Sequence, residues 1–554
     1  MTIKDTVNQV ICDALAAAIS EGKLPEGEYP SVKVEYPRDA KFGDYATPIA
    51  MECARVVRRS PLETGEILKP YIENSAFISS VDVVKPGFIN IFISHERLVQ
   101  TLHDVLKENE KYGHQISNDP KTINIEFVSA NPTGPMNIVS ARAAALGDTI
   151  ANLFEATGDK VEREFYVNDF GNQVMLLGKS VLARIKEQKE IHVEFPEEGY
   201  HGEYIRDIAA EIINDTPDLN LDDDEEKLID FCSRRAIESN VSGQQKDLSD
   251  FNVQFDRWFR ERTLHESGLV SETESFLEAK KVVFLEEGKK FFKSTDYGDD
   301  KDRVLVRDDG RPTYLLADIA YHRDKLSRKY DKIIDIWGPD HHGYIARLAG
   351  AMKAMGSGEE TFQVLIAQQV NLVMEGEAVK MSKRLGRFST MRELIEEIGV
   401  DVARYFFVMR SMDSHLDFDL ALAKKQSSEN PVFYLQYAHA RICSLFREAE
   451  KRGIPYEPFE INASLLENDE AVTILKLLAK FPEEIDDAAR SIEPHKIAVF
   501  LMRLAQSYHR FYTEHRIISD DQDTTGTFLS LCDAVRKVMN NGLALLGVSA
   551  PERM

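Results

Sequence analysis

The stretch Ile123-Asn-Ile-Glu-Phe-Val-Ser-Ala-Asn-Pro-Thr-Gly-Pro135 decides the fold class of this chain. Its first six residues have the apolar alternation of a strand. Residues 131–135 are rich in turn formers, and residues 136–153 are rich in alanine and lack proline, which predicts a helix. A strand, a Gly/Pro loop and a helix in this order open a nucleotide-binding α/β unit, in which the helix N-terminus faces anionic phosphates.

The alternation of strands and helices continues downstream. Short apolar segments at 304–306, 333–337 and 364–366 are predicted to be strands, and 344–355 is predicted to be a helix. Such alternation is typical of a parallel sheet. Residues from about 190 to 290 interrupt it, so we expect an insertion between two halves of the sheet domain. The acidic run at 222–226 is interpreted as a solvated loop rather than a metal site.

The two ends of the chain have different patterns. Residues 1–115 predict a small α+β unit, with strands at 32–36 and 88–93 and a helix at 46–58. From about 430 onward the chain is helical, and one buried helix face is predicted from apolar residues at spacings of three and four: Ile497, Phe500, Leu501, Leu504, Tyr508 and Phe511. The predicted fold is therefore α/β. A Rossmann-like parallel-sheet catalytic domain (116–430) lies between an α+β N-terminal domain (1–115) and an all-α helical bundle (431–554).

The composition limits the class of protein. A chain of 554 residues exceeds the size of a single core, so several domains are expected. The net charge of −25 argues against indiscriminate nucleic-acid binding but leaves room for a specific RNA bound through local basic patches. The five scattered cysteines, without a CxxC pair, argue against disulfides and zinc and favour a reducing, cytoplasmic location. Because no apolar run is long enough to cross a bilayer, no membrane partner is expected.

A basic loop follows the last predicted strand of the sheet. Val379-Lys-Met-Ser-Lys-Arg384 comes after a predicted hairpin that turns at Glu375-Gly376. An exposed basic loop is common in any protein, but this one lies where ligands approach the carboxyl edge of a parallel sheet. Two lysines on one loop could neutralise the charge that develops on phosphates during attack at an α-phosphorus.

A second polar segment ends a predicted strand. In Trp337-Gly-Pro-Asp-His-His-Gly-Tyr344, two histidines beside Asp340 invite a metal interpretation. Neighbours in sequence rarely point at one ion, however, and no further Cys or His cluster supports a metal. A hydrogen-bonding site for ribose hydroxyls or for the substrate fits this position better.

Taken together, these segments resemble the arginyl-tRNA synthetases, a family of class I aminoacyl-tRNA synthetases, over essentially the whole chain. The resemblance rests on many segments in family order. They are Phe127-Val-Ser-Ala-Asn-Pro-Thr-Gly-Pro135, Tyr166-Val-Asn-Asp-Phe-Gly-Asn-Gln173, Tyr314-Leu-Leu-Ala-Asp-Ile-Ala-Tyr-His322, the 337–344 segment, the Lys380 loop, Ala403-Arg-Tyr-Phe-Phe-Val-Met-Arg-Ser411 and Asn430-Pro-Val-Phe-Tyr-Leu-Gln-Tyr-Ala-His-Ala-Arg441.

The resemblance implies an activity and its partners. L-Arginine would be activated with ATP to arginyl-adenylate and transferred to the 3′ end of tRNA(Arg), with release of pyrophosphate and AMP. ATP would enter with Mg²⁺ as a substrate complex, and neither a protein-bound metal nor a tightly bound cofactor is expected. The protein would be a monomer. Its N-terminal unit is similar to the family's tRNA-elbow domain, and its helical bundle is similar to the anticodon-binding domain.

The resemblance also implies roles for individual residues. Tyr314 and Asp318 lie one helical turn apart and can face one ligand; by resemblance, Asp318 is the carboxylate for the guanidinium, whose planar fork matches two oxygens. The implied arginine-binding residues are Glu126, Ser129, Asn131, Tyr314 and Asp318. The implied ATP-binding residues are Gly134, Pro135, Gly338, Asp340, His341, Met381 and Ser382, and the implied catalytic residues are Lys380, Lys383, Asn137 and Ser140.

One motif departs from the family pattern. Class I enzymes carry His-x-Gly-His at the start of the helix after the first strand, whereas this chain has Asn137-Ile-Val-Ser140. Asn137 and Ser140 are three residues apart on the first helical turn, and both side chains can donate hydrogen bonds to phosphate. Neutral donors are roughly half as strong as charge-assisted ones. Val139 replaces the glycine that lets adenine approach the backbone closely.

Three functional hypotheses follow from this departure. A working synthetase with an altered motif is favoured, because a dead protein would not need Lys380, Lys383, Asn131 and Asp318. The second hypothesis is a catalytically weak or dead paralogue that binds tRNA or arginine as a regulator. The third, adenylation of arginine for an acceptor other than tRNA, is disfavoured by the anticodon-type C-terminal domain.

Overall fold

The computed structural model describes residues 2–117, 119–374, 377–378, 390–456, 458 and 460–554. Within these residues the chain forms an N-terminal α+β unit, a domain built on a five-stranded parallel sheet, and a C-terminal helical bundle. The predicted fold class is therefore confirmed.

The N-terminal unit is a three-stranded antiparallel sheet flanked by helices, with the strand order β1-β3-β2. Its elements are α1 (Ile3–Ser20), β1 (Tyr45–Thr47), α2 (Ile49–Glu52), α3 (Ala54–Val57), α4 (Pro61–Glu73), β2 (Ile78–Val84), β3 (Phe88–Ile93) and α5 (His95–Glu108).

Two predictions in this unit were wrong. Residues 32–36 do not form a strand; Glu35 makes one isolated bridge to Ala46, because Pro30 and Pro37 flank a segment too short to extend the pairing. The segment 46–58, expected to be one helix, instead begins with the last two residues of β1. It continues as two short helices, α2 and α3, and α3 ends where Arg58 adopts a left-handed φ of 52°. The strand predicted at 88–93 is confirmed.

The central domain contains most of the chain's strands. They are β4 (Thr122–Glu126), β5 (Lys160–Val167), β6 (Arg257–Arg260), β7 (Val283–Glu286), β8 (Lys289–Phe292), β9 (Arg303–Val306), β10 (Lys332–Trp337), β11 (Phe362–Ile366), β12 (Val370–Met374), β13 (Glu377–Ala378) and β14 (Leu416–Asp419). The parallel sheet has the order β11-β10-β4-β5-β6, which confirms the strands predicted around 123–128, 333–337 and 364–366.

Helices cover both faces of this sheet and its edges. They are α6 (Ile138–Ala156), α7 (Asn172–Gln188), α8 (Glu203–Asp215), α9 (Glu225–Asp250), α10 (Glu261–Glu266), α11 (Leu269–Ala279), α12 (Tyr314–Ser327), α13 (Ile345–Met355), α14 (Met391–Ile398), α15 (Val400–Val408) and α16 (Leu420–Ala423). Residues 339–344 form a 3₁₀ turn between β10 and α13.

Two expectations about the central domain need correction. The strand at 304–306 lies outside the parallel sheet, because it pairs antiparallel with β8 in a separate sheet of order β7-β8-β9. The β7–β8 turn places Glu287 and Gly288 at φ values of 47° and 76°, as a two-residue hairpin turn requires. The segment 190–290, expected as an insertion between sheet halves, itself supplies the edge strand β6.

The C-terminal bundle consists of α17 (Pro431–Lys451), α18 (Asp469–Ser491), α19 (His495–Glu514) and α20 (Gln522–Leu545). The predicted apolar face of α19 is buried, from Ile497 to Phe511. The N-terminal unit packs on this bundle, because α5 contacts α18 and α20. Among the described helices, none is long and apolar enough to cross a bilayer.

Arg404 on α15 joins the bundle to the sheet domain. Its fully buried guanidinium donates to the Asp148 carboxylate on α6 at 2.6 Å, to the Leu546 carbonyl after α20 at 2.8 Å and to the Phe251 carbonyl after α9 at 3.0 Å. A buried guanidinium requires such partners for its N–H groups. These bonds fix the position of the bundle relative to α6.

The close approach of α6 to the sheet depends on Gly147. A Cβ at this position would lie 2.3 Å from the Phe127 ring, and Phe127 is fully buried directly after β4. We expect Gly147→Ala to lower the free energy of unfolding by about 1–3 kcal/mol, because overpacking forces neighbouring side chains or backbone to move.

Gly526→Ala on α20 is the matched control. No atom lies within 4 Å of a Cβ built at Gly526, so the higher helix propensity of alanine should leave stability unchanged or raise it by up to about 1 kcal/mol. Chemical denaturation of both variants provides the measurement. Equal effects would show that the Phe127 contact does not limit how closely α6 packs.

Candidate active site

A cavity of about 880 Å³ opens at the carboxyl edge of the parallel sheet, where β4, β5 and β10 end. The N-terminus of α6 and the first turns of α12 complete its walls. Ligands of open parallel sheets bind at this edge.

Most of the predicted site residues line this cavity. They are Glu126, Ser129, Asn131, Gly134, Pro135, Asn137, Ser140, Tyr314, Asp318, Gly338 and His341. Asp340 is solvent-exposed in the 339–344 turn and does not line the cavity wall. Lys380, Met381, Ser382 and Lys383 lie outside the described residues.

The backbone turns sharply where β4 leaves the sheet. Val128 and Ser129 have positive φ values of 69° and 39°, which β-branched and other non-glycine residues rarely adopt. The turn is held by the Ser129 hydroxyl, which donates to Glu126 Oε1 at 2.9 Å and accepts from the Tyr166 N–H at 3.1 Å. Ser129 therefore links the end of β4 to β5 through its two hydrogen bonds.

The loop at 131–135 is fixed by side chains from the 190–290 segment. Gln244 on α9 donates to the carbonyls of Asn131 and Gly134 at 3.2 and 3.1 Å, and Asn240 donates to the Pro132 carbonyl at 2.9 Å. The Tyr204 hydroxyl on α8 donates to the Thr133 carbonyl at 2.7 Å. Since Gln244 is 1% exposed, its hydrogen bonds to this loop lie in the core of the domain.

Asn137 caps α6 at the cavity. Its Oδ1 accepts from the Ser140 N–H at 2.9 Å and from the Ser140 hydroxyl at 3.2 Å. The Ser140 hydroxyl thus donates to Asn137 in this structure, and the expectation that both side chains donate to phosphate stays a prediction. The Asn137 Nδ2 group is left to act as a donor, beside the backbone N–H groups of the first helical turn.

The chain returns to Asn137 after the Lys380 loop. Thr390 forms an antiparallel bridge with Asn137, and the Met391 N–H donates to the Met136 carbonyl at 2.9 Å. Arg142, one turn into α6, is fully buried and donates to the carbonyls of Gln368 at 2.7 Å and Ser411 at 3.1 Å, which precede the parallel strands β12 and β14. The strands that flank the loop are thereby fixed to the start of α6.

Buried charges line the inner end of the cavity. Lys325 Nζ on α12 lies 2.5 Å from Glu126 Oε2 and 2.8 Å from Asp335 Oδ1, and its side chain is fully buried. His322 Nε2 lies 2.8 Å from Asp335 Oδ2, while its Nδ1 lies 3.2 Å from Asp318 Oδ1. Two carboxylates implied in arginine binding, Glu126 and Asp318, are therefore the ends of one connected group.

The neighbouring charges shift the pKa values of these residues. Burial by itself lowers the pKa of the His322 ring, but the carboxylates of Asp335 and Asp318 raise it to about 10. Burial by itself raises the pKa of the Asp335 carboxyl, but the Lys325 ammonium and the His322 ring lower it to about 2. Both groups are therefore charged at neutral pH.

Sequence reasoning missed several members of the site. Tyr321, His322 and Tyr166 belong to segments that carried the family resemblance, but none was assigned a role. Asp335 could have been noticed, since a carboxylate between Ile334 and Ile336 in a central strand is buried and must have a partner. Nothing in the local pattern identifies Lys325 as that partner.

Three family models match the chain. The "Arginyl tRNA synthetase N terminal domain" matches residues 3–93, "tRNA synthetases class I (R), catalytic domain" matches 101–413, and the "DALR anticodon binding domain" matches 435–554. The parallel sheet, the cavity at its carboxyl edge and the catalytic-domain match define a class I aminoacyl-tRNA synthetase.

Individual relatives define the family more narrowly. Proteins named arginine–tRNA ligase from Leptospira interrogans and Desulforamulus reducens are 47% and 42% identical, over 100% of this chain and 98% and 99% of their own length. The solved Thermus thermophilus arginyl-tRNA synthetase shares the fold, with a TM-score of 0.76 over 100% of both chains at 19% identity. The chain belongs to the arginyl-tRNA synthetase family, whose members are ATP-dependent arginine–tRNA ligases.

The raised pKa of His322 predicts a pH-dependent effect of His322→Gln. A group whose pKa is raised on folding contributes stability that is fully present below its unfolded pKa of about 6.5 and is lost as pH rises through its folded pKa, which is about 10 for His322. The thermal unfolding midpoint of the variant should therefore fall furthest below that of the wild type near pH 6. The difference should shrink toward pH 9.

His439→Gln provides a control with the opposite sign. Burial lowers the pKa of this histidine on α17, so the folded wild type loses stability as pH falls below about 6.5. The loss caused by His439→Gln should therefore be smaller at pH 6 than at pH 8. The same pH trend in both variants would contradict the assignment of a charged His322.

Proposed function

We propose that this chain binds L-arginine in the cavity with its guanidinium against Asp318 and Glu126 and its amino group near Asn131. Tyr314 and Ser129 complete the arginine site. The observation that carries the proposal is that two carboxylates, Asp318 and Glu126, and the N-terminus of α6 line the same cavity. The carboxylates attract the cationic side chain, and the positive N-terminus of α6 attracts the anionic phosphate.

ATP would occupy the end of the cavity near α6. Gly134, Pro135 and the first turn of α6 are suited to the phosphates, and Gly338, Asp340 and His341 are suited to the ribose. We propose that the triphosphate is bound by Lys380, Met381, Ser382 and Lys383 of the predicted basic loop, with the two lysines neutralising the developing charge. The bridge from Thr390 to Asn137 supports this assignment, because it ties the end of that loop beside the phosphate end of the cavity.

Two transfer steps follow from this arrangement. An oxygen of the arginine carboxylate attacks the α-phosphorus of ATP, a P–O bond forms, and pyrophosphate leaves with the electrons of the broken bond. A hydroxyl of the 3′-terminal ribose of tRNA(Arg) then attacks the arginyl carbonyl carbon, loses its proton and displaces AMP. ATP enters as its Mg²⁺ complex, a substrate rather than a resident metal.

The flanking domains would bind the tRNA. We assign residues 1–115 to the tRNA elbow, 116–430 to catalysis and 431–554 to the anticodon. An aromatic cluster on α17 and α19 supports the last assignment: Tyr437, 41% exposed, stacks with Phe433 and His509, and the Arg441 guanidinium lies 5.5 Å from its ring centroid. Such surfaces stack on unpaired bases. The protein would act as a monomer in the cytoplasm, where its scattered thiols stay reduced.

The altered His-x-Gly-His motif is the observation behind a second candidate, a regulator that binds arginine or tRNA with little catalysis. The two candidates differ in one assay, which is charging of tRNA(Arg) with labelled arginine and ATP by the purified protein. The synthetase predicts steady formation of arginyl-tRNA that requires all three substrates. Negligible charging, together with retained arginine binding, would favour the regulator.

Asp318→Asn tests the arginine site. Losing one partner of a desolvated charge pair costs about 2–5 kcal/mol, so the KM for arginine should rise steeply while the KM for ATP changes little. Asp324→Asn is a control on the same helix, where the carboxylate pairs with Arg328 at 3.1 Å and does not line the cavity. An unchanged arginine KM in Asp318→Asn would remove Asp318 from the site.

Two substitutions of Asn137 separate its capping role from its role toward phosphate. Asn137→Ala removes the cap and should cost about 1 kcal/mol of stability. Asn137→Asp keeps an acceptor for the Ser140 N–H and should preserve stability, yet it replaces the Nδ2 donor with a negative charge beside the phosphates. We expect charging by Asn137→Asp to slow by about a hundredfold, measured in single-turnover experiments. A wild-type charging rate in Asn137→Asp would show that Asn137 acts only as the N-cap of α6.

A further inference from the structure

Five charged side chains form a single row, and all of them except Lys325 line the cavity. Its links are Asp318 to His322 at 3.2 Å, His322 to Asp335 at 2.8 Å, Asp335 to Lys325 at 2.8 Å and Lys325 to Glu126 at 2.5 Å. The signs alternate along the row, from a carboxylate at one end to a carboxylate at the other. The three inner members are at most 2% exposed at their side chains.

The geometry fixes the charge state of the inner members. Both nitrogens of His322 face oxygen acceptors, because Nδ1 also lies 2.8 Å from the Asp318 carbonyl and Nε2 faces Asp335. A neutral ring has one donor and one acceptor nitrogen, so two acceptors favour the doubly protonated, charged ring. Lys325 likewise has a carboxylate on each side.

Glu126 is held by donors on both of its oxygens. Lys325 Nζ and the Tyr321 hydroxyl donate to Oε2, and the Ser129 hydroxyl donates to Oε1. Burial raises the pKa of Glu126, and the Lys325 ammonium opposes that shift. Since the Lys325 ammonium can only donate, its contact with Oε2 favours the carboxylate.

The row carries an unmatched negative charge. It contains three carboxylates and two cations, so one negative charge remains without a partner among these five side chains. Glu164 beside the row forms its own pair with Arg328 at 2.7 Å. Among the described residues, the other titratable groups near the row include Tyr314, Tyr321 and Asp324 on α12, Tyr166 on β5, Glu261 on α10, and Tyr344 in the 339–344 turn with Arg347 beside it. Burial raises the pKa of the four tyrosines, which therefore stay neutral.

We propose that His322, Asp335 and Lys325 are positioning residues that keep Asp318 and Glu126 ionised and oriented, and that the row selects a substrate side chain carrying one positive charge. This inference rests on the proposed function, in which Asp318 and Glu126 receive the guanidinium. When arginine binds, its positive guanidinium adds the next cation to the row of alternating charges. The unmatched negative charge is then cancelled in a desolvated site. A neutral isostere such as L-citrulline leaves that charge unmatched.

A purely structural role is a weaker explanation. Well-packed apolar residues of similar volume are often as stabilising as a buried ion pair, or more so, and a row of five charges adds desolvation costs. Moreover, four of its five members, Glu126, Asp318, His322 and Asp335, line the cavity.

The first experiment measures the pH dependence of arginine binding in His322→Gln. Without the imidazolium, Asp318 and Asp335 lie near a neutral amide, and one of them takes up a proton. Arginine must displace that proton, so affinity in the variant should rise by up to about tenfold per pH unit between pH 6 and pH 8. The wild type should be flat over this range. Binding is measured by calorimetry on the full-length protein, with His439→Gln as the buried-histidine control.

The second experiment uses an isosteric substitution that preserves shape. Asp335→Asn leaves two carboxylates and two cations in the row. The net charge of the row is then zero, so it no longer attracts a cation. The preference for L-arginine over L-citrulline, measured as the ratio of their dissociation constants, should fall by tenfold or more. This variant also keeps the inference testable if His322→Gln does not fold.

The outcomes separate this inference from the proposed function. Flat pH dependence in folded His322→Gln, or an unchanged arginine-to-citrulline ratio in folded Asp335→Asn, would overturn the positioning role. If wild-type protein bound no arginine at all, the proposed function itself would fail. A general loss of affinity for arginine, citrulline and ATP alike would indicate structural damage and would also contradict the inference.

Discussion

Three carboxylates stand side by side on adjacent strands of the parallel sheet: Asp335 on β10, Glu126 on β4 and Glu164 on β5. Like charges directly opposite each other destabilise a sheet, and these are buried. The compensation comes from α12, whose Lys325 lies between the first two carboxylates and whose Arg328 pairs with the third. The Tyr321 hydroxyl on the same helix lies within hydrogen-bonding distance of both Glu126 and Glu164. The three buried carboxylates on the sheet therefore require α12 to pack over them, because α12 carries the cations that compensate their charge.

The same constraint determines where the ligands bind. Because α12 must place its cations over the sheet, Tyr314 and Asp318 at its N-terminal end line the cavity. On the opposite wall, Gln244, Asn240 and Tyr204 hold the loop that leads into α6. In the proposed assignment, α12 supplies residues for the cationic side chain and α6 supplies residues for the phosphates, and the reaction takes place between them.

The sequence was informative where a local pattern determines local structure. The opening strand, loop and helix, the apolar face of α19 and the motifs around Glu126 and Asp318 were all predicted. Pairing between distant segments was not. Residues 304–306 have the same pattern in either sheet, and only the β7–β8 hairpin assigns them to the antiparallel one. Lys325 resembles any lysine on a helix, because its partners are 199 and 10 residues away in sequence. The role of 190–290 in holding the loop likewise depends on tertiary contacts.

The ionisation of Asp318 and Glu126 before arginine arrives is the claim on which the substrate preference depends. It is tested most directly by calorimetry of L-arginine binding at pH 7 in buffers of different ionisation enthalpy. If the buried row already holds both carboxylates charged, the observed binding enthalpy will be independent of the buffer, because no proton is exchanged. Release of about one proton per arginine bound would show that one carboxyl is protonated in the free protein, and would contradict this view of the site.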